Sequence, residues 1–272
     1  MATLPDAANQ RRIDPLAKTE KQRGSIKDAL LDPSGPELED HFLAHSGERN
    51  RRFAESPRAQ GNETREEEAK AAYCREHPRI GVLAIQGDYA AHAAALQETG
   101  ATPSLVKTPE DLRLDGQSLD GLVLPGGEST TMLKFLEKRH FFEALRDFCA
   151  QKPVFGTCAG TILLAREVLN PPQRSLGLLD AVVERNAYGR QIDSTILTAE
   201  TTLPGGPLEM VFIRAPRISA IGPGVEALAW RDGFPALVRQ GAVMAATFHP
   251  ELSHDRRVHR LFVALASGAP TR

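Results

Sequence analysis

Sulfur and aromatic side chains are scarce in this chain: 272 residues hold three cysteines and one tryptophan, and 6% are aromatic. Three is an odd number, and the chain is too long to need stapling, so no disulfide framework is expected and a reducing cytoplasm fits best. No CxxC pair and no clustered Cys/His spacing is present, so nothing reads as a metal site. No apolar run approaches the roughly 20 residues that span a bilayer. Residues 1–30 lack the apolar segment of a secretory signal, and Asp6, Asp14 and Glu20 argue against an organellar transit peptide. Charge of one sign is also missing. The net value of -2 gives no pull toward nucleic acid or an anionic membrane. What is present, 41% hydrophobic residues, suffices for one sizeable core or two small ones.

Aliphatic residues are thin in residues 1–78, which are dense in Arg, Lys, Glu and Asp, as in the run Glu63 to Lys70. Such a segment buries too little apolar area to offset its ordering entropy. It reads as a disordered or loosely helical charged extension, or else as a translation start placed too early. The domain proper is expected over residues 79–268.

Ile80 to Ile85 forms a buried-strand run ending at Gln86-Gly87, and an alanine-rich helix is expected from Tyr89 to Glu98, closed by Gly100. Strands follow at Thr102–Val106, at Gly121–Leu124 and at Val154–Gly156, with helices at Ser129–Glu137 and Phe141–Ala150. This alternation predicts a three-layer, doubly wound, mostly parallel α/β sheet of flavodoxin-like type. Beyond Ala181 the rhythm turns β-rich. Segments at Ala181–Glu184, Ser194–Thr198, Met210–Ile213, Ala236–Arg239 and Val243–Phe248 are expected to extend that sheet and add antiparallel edge strands. A last helix is expected from Ser253 to Ala266, with Val258, Leu261, Phe262 and Leu265 on its core stripe.

The chemistry centres on Gly156-Thr157-Cys158-Ala159-Gly160, set between a strand and an apolar-periodic helical run. A G-x-C-x-G turn is the cysteine form of the nucleophile elbow, with glycines where side chains would crowd it and the thiol over a helix N-terminus. A thiol nucleophile also needs a base, an orienting group and an oxyanion hole. Among the eight histidines, His41, His45 and His77 lie in or beside the polar extension. His92, His140, His254 and His259 lie on helical patterns, where surface exposure or packing is the ordinary role. His249 instead ends an apolar strand and is followed by Pro250 and Glu251. Residues two apart in an extended segment project to one side, so Glu251 can orient His249; a plain His-Pro turn with a surface glutamate is the alternative. Oxyanion donors are the backbone N–H of Ala159 and the turn Pro125-Gly126-Gly127-Glu128-Ser129, which equally reads as an ordinary helix start capped by Ser129 or a neighbour. Cys149 falls on a stripe with Phe142, Leu145 and Phe148 and reads as packing; Cys74 has no visible partner.

These motifs resemble the class I, triad glutamine amidotransferases. Pro125 to Met132, Gly156 to Gly160, Val183-Glu184-Arg185-Asn186, Phe212-Ile213-Arg214-Ala215-Pro216 and Phe248 to Leu252 together narrow the likeness. They look like the glutaminase subunit family of pyridoxal 5'-phosphate synthase (PdxT/SNO), and Ile85-Gln86-Gly87 fits as well. The resemblance spans about residues 79–268. It implies hydrolysis of L-glutamine by Cys158, with His249 as base and Glu251 as its orienter, and with Gly127 and Ala159 forming the oxyanion hole. It further implies that Gly127, Glu128, Ser129, Arg185, Ile213 and Arg214 hold the substrate. Gln86 would couple the site to a partner, a (β/α)₈ barrel synthase subunit of PdxS/SNZ type that receives the ammonia. No cofactor or metal is implied for the glutaminase step. Two other readings stay open: a triad glutaminase serving a different synthase, and a non-catalytic regulatory subunit of the same fold.

Overall fold

The computed structural model describes residues 77–114, 116–138, 140–187 and 194–269. The expected extension at 1–78, with His41, His45 and Cys74, therefore lies outside the described residues but for its last two. The chain opens with β1 (Arg79–Leu83), α1 (Tyr89–Glu98) and β2 (Thr102–Val106), then a small hairpin of β3 (Arg113–Leu114) and β4 (Gln117–Ser118). Next come β5 (Gly121–Leu124), α2 (Ser129–Lys138), α3 (Phe141–Cys149), β6 (Val154–Thr157), α4 (Ala159–Leu164), β7 (Ala165–Leu169) and β8 (Leu179–Glu184). The strands β9 (Thr195–Ala199), β10 (Leu208–Phe212), β11 (Arg217–Ile221), β12 (Glu226–Arg231), β13 (Phe234–Gln240) and β14 (Val243–Ala246) precede α5 (Arg257–Ala266).

The main sheet has seven strands in the order β12-β13-β14-β6-β5-β1-β2. Pairing is parallel from β14 through β2 and antiparallel at β14–β13 and β13–β12. Alternation along each strand divides the apolar side chains between two cores. Leu122 and Leu124 of β5 and Val154 of β6 face Leu136 of α2, Phe141 of α3 and Leu163 of α4. Val123 and Phe155, on the opposite face, pack with Leu96 of α1 and Val258 and Phe262 of α5. A sheet covered on both faces reads as near-continuous apolar runs, and β5 and β6 are buried throughout.

Three of the β-rich segments depart from expectation. β8 joins β7 and β11 in a separate three-stranded sheet, and β9 pairs only with β10. These strands do not extend the main sheet; β12, β13 and β14 do. The elbow helix also stops early: α4 has six residues, and the chain turns at once into β7. Leucine and isoleucine suit a buried helix and a buried strand alike, so the run Ile162–Ala165 does not mark that break. The last helix begins at Arg257, and its buried face carries Val258, His259, Phe262 and Val263, with Leu261 and Leu265 only partly buried.

Candidate active site

Four adjacent parallel strands end on one side of the sheet. β1 leads to Gln86-Gly87, β5 to Gly126-Gly127, β6 to Cys158 and β14 to His249. The chain steps from β1 outward to β2 and then back across to β5, so the strand order reverses between β1 and β5. Carboxyl ends beside such a switch point are where open α/β sheets form sites.

Cys158 lies between β6 and α4 with φ 48° and ψ −102°. A positive φ on a residue with a side chain costs about 1–3 kcal/mol and persists only where its surroundings dictate it. Here its N–H donates to Ala246 O at 2.8 Å, while Thr161 Oγ1 donates to Ala246 O at 2.6 Å and to Gly156 O at 3.1 Å. The elbow also needs α4 pressed onto β5: a Cβ at Gly160 would stand 2.0 Å from Leu124 O. The thiol itself lies 3.9 Å from Ile213 O and is 6% exposed.

His249 is brought to Cys158 from β14, with its N–H bonded to Val211 O at 2.8 Å. Its Nδ1 lies 2.7 Å from Glu251 Oε1. The contact is made by a 3₁₀ turn over Pro250–Leu252 and not by an extended strand, because Pro250 presets the helical φ at its first position. His249 is 8% and Glu251 5% exposed. Burial pulls the His249 pKa down, but its hydrogen bonds to Cys158 and Glu251, with their charges, outweigh it and raise it to about 10. Burial pushes Glu251 up, yet the His92 and His249 imidazoles overcome this and hold it below the usual carboxylate value. Gly126 fits between His249 and Cys158: a Cβ there would lie 2.3 Å from His249 Cε1 and 3.2 Å from Cys158 Cβ.

A cavity of about 270 Å³ opens over the thiol, lined by Gly127, Glu128, Ser129, Cys158, Ile162, Arg185, Asn186, Ile213, Arg214 and His249. Its size is near the lower end for small-molecule sites, roughly 300–1,000 Å³. Arg185 donates to Thr130 Oγ1 at 2.8 Å and lies 3.6 Å from Glu128. The Glu128 carboxylate accepts from the N–H groups of Thr130 and Thr131 at 3.1 and 2.6 Å. Burial works against it, but hydrogen bonding from the side chains and backbone of Thr131 and Thr130 holds its pKa down at about 2. Glu128 is thus the cap of α2, the neighbour that can do so in place of Ser129. Ser129 Oγ is bonded instead to Gln173 Oε1 at 2.9 Å.

Residues 82–267 match the model of the SNO glutamine amidotransferase family. The chain belongs to that family. Among relatives, the pyridoxal 5'-phosphate synthase subunit PdxT of Koribacter versatilis is 59% identical over 187 residues, covering 69% of this chain and 95% of its own. The protein of the same name from Thermotoga neapolitana is 48% identical over 69% of this chain and 98% of its own. A solved glutamine amidotransferase superposes with a TM-score of 0.63 at 45% identity, covering 69% of this chain and 98% of that one. A Thermoplasma acidophilum protein described as a GMP synthase component, 18% identical with a TM-score of 0.53 over 71% of this chain and 95% of its own, shares the fold. This SNO-family chain is a glutaminase by that membership, with the class I amidotransferase fold.

Of the residues singled out in the sequence, the cavity gathers Gly127, Glu128, Ser129, Cys158, Arg185, Ile213, Arg214 and His249. Glu251 sits behind His249, and Ala159 lies buried at the first position of α4. Gln86 stands on the far side of the glycine turn, its Cδ 3.6 Å from where a Cβ of residue 127 would be, with Oε1 buried and without a hydrogen-bond partner among the described residues. Sequence reasoning misses two lining residues, Ile162 and Asn186, although Asn186 directly follows Arg185 in a motif already noted. Cys149 packs as expected, 3% exposed, and burial pushes its thiol up to about 12. His140 and His254 are exposed. His92 and His259 are not packing groups alone: His92 reaches Glu251, and His259 reaches His92.

Proposed function

We propose that Cys158, His249 and Glu251 carry the glutaminase reaction in the cavity over the elbow. The observation that supports this most is the 2.7 Å bond from His249 Nδ1 to Glu251 Oε1, with His249 and Cys158 facing the same cavity. Sγ attacks the carboxamide carbon of L-glutamine with its proton already held by His249, whose pKa is raised to about 10. The backbone N–H groups of Gly127 and Ala159 receive the oxyanion. His249 then gives its proton to the departing nitrogen, ammonia leaves, and a γ-glutamyl thioester stays on Cys158. Water, deprotonated by His249, cleaves the thioester and releases glutamate. Ser129, Arg185, Ile213 and Arg214, with the backbone at Glu128, hold the amino acid, and the arginines suit its α-carboxylate.

The ammonia goes to a barrel synthase subunit that builds pyridoxal 5'-phosphate, in the cytoplasm. The relatives named as PdxT, at 45–59% identity, support this partner over another synthase. Gln86, lodged against the oxyanion turn, is the residue through which docking is felt. The test is glutamate release by the chain alone and with the synthase added. Wild type is expected to turn over faster with the synthase, and Cys158→Ala to give no glutamate above background. Equal rates for wild type and Cys158→Ala would sink the assignment.

A further inference from the structure

Behind the triad runs a buried line of polar side chains that the reaction above leaves unused. His92 of α1 and His259 of α5 are both 0% exposed. His92 Nε2 lies 3.0 Å from Thr157 Oγ1 and 3.2 Å from Glu251 Oε2. On its other edge, His92 Nδ1 lies 3.3 Å from His259 Nε2. Glu251 Oε2 is buried and has no well-aligned donor among the described residues, and His92 Nε2 is the nitrogen that faces it. Among the described residues no group of three His, Cys, Asp or Glu is arranged to hold a metal ion, so the line is read through its protons.

One arrangement of those protons gives each facing pair a donor and an acceptor. A carboxylate only accepts, so the Nε2 that faces Glu251 carries hydrogen. Burial lowers the pKa of His92 and keeps it neutral, which leaves Nδ1 as an acceptor. His259 must then donate from Nε2, and its Nδ1 is bare. That Nδ1 is buried with no partner among the described residues. A bare acceptor is tolerated there more readily than a stranded N–H. The opposite tautomer would turn the His92 Nε2 lone pair toward the carboxylate and strand a proton at the far end.

We propose that His92 is a positioning residue of the glutaminase: its Nε2–H holds Oε2 of Glu251 and Oγ1 of Thr157 together, so that Oε1 stays aimed at His249, while His259 fixes the His92 tautomer. Thr157 is the residue before the nucleophile, so one N–H ties the base side of the triad to the elbow side. A carboxylate held at one oxygen alone can rotate, and the base loses its orientation with it. The proposal rests on Cys158, His249 and Glu251 being the catalytic groups.

Two measurements test it. In the complex with the synthase, His92→Leu is expected to lower kcat about 10- to 100-fold, with KM changed less than about 2-fold. His92→Gln, whose amide N–H can stand where Nε2 stood, is expected to keep most of the wild-type kcat. The second measurement needs no variant to fold: histidine ¹⁵N shifts of the wild-type chain at pH 7, where both buried rings are expected neutral with hydrogen on Nε2. His92 protonated on Nδ1 or on both nitrogens would overturn the proposal. So would wild-type kcat in His92→Leu, a rise in KM alone, or His92→Gln no better than His92→Leu. A wild-type complex that makes no glutamate would instead overturn the reading of Cys158, so the two failures are distinguishable.

Discussion

At the scale of single residues, the site depends on atoms that are absent as much as on those present. Gly126 has no side chain because His249 occupies that space, with Cε1 2.3 Å from the position a Cβ would take. Gly126→Ala is therefore expected to push the imidazole off Cys158 and to cost about 100-fold or more in kcat, since sub-ångström placement governs such reactions. Thermal unfolding should move little by comparison, because the displaced ring lies at the edge of a cavity and not within a core. Unchanged turnover in Gly126→Ala would mean that the base and nucleophile are not held where they stand here. The Gly-Gly pair was legible in the sequence as a turn that approaches a ligand. That the first glycine makes room for His249 was not, because that contact joins residues 126 and 249 from different strands.

At the scale of elements, the elbow is a packing problem between α4 and β5. A methyl at residue 160 would meet Leu124 O at 2.0 Å, a backbone atom with no freedom to yield. Gly160→Ala is expected to destabilise the fold by about 2–3 kcal/mol, the upper range for overpacking. Chemical denaturation reads this as a lower midpoint at unchanged slope. Element identity was largely readable. α1, β2 and β5 fall on their expected bounds, since each is a strongly patterned run closed by Gly, Pro or a charged turn. The six-residue α4 was not readable, because what ends it is the pull of β7 toward β8 in another sheet. The histidines were readable in principle: His92 shares an i, i+3, i+4 face with Ala95 and Leu96, the buried side of α1. Helical spacing left His92 a surface or packing role, and nothing local said that Glu251 lay across from it.

At the scale of the whole molecule, buried titratable groups shape stability against pH. Burial lowers His92, and burial together with the nearby His92 imidazole lowers His259 to about 3. A histidine near 6.5 when unfolded takes a proton there that the folded chain refuses, so stability falls as pH drops below that value. Glu251, lowered in the fold, adds to the loss as pH falls toward its own pKa. His249, raised to about 10, acts on the other limb: its contribution is complete below about 6.5 and is lost as pH rises through about 10. Denaturant titrations are expected to show a stability maximum near neutrality, with an acid slope of up to about 1.4 kcal/mol per pH unit for each histidine. His259→Gln should flatten that acid slope; an unchanged slope would remove His259 as its source. The boundary near residue 78 is a proposal at this scale too. Removing residues 1–78 is expected to leave both the unfolding midpoint and glutamate release as they are, and loss of either would make that segment part of the working domain.

The backbone at Cys158 carries a further consequence. Its φ of 48° is a conformation that glycine adopts freely and cysteine does not. The chain is thus strained at the residue proposed as the nucleophile. Selection for a stable fold and selection for a working thiol pull in opposite directions there. Cysteine at that position is the signature of a protein kept for its activity.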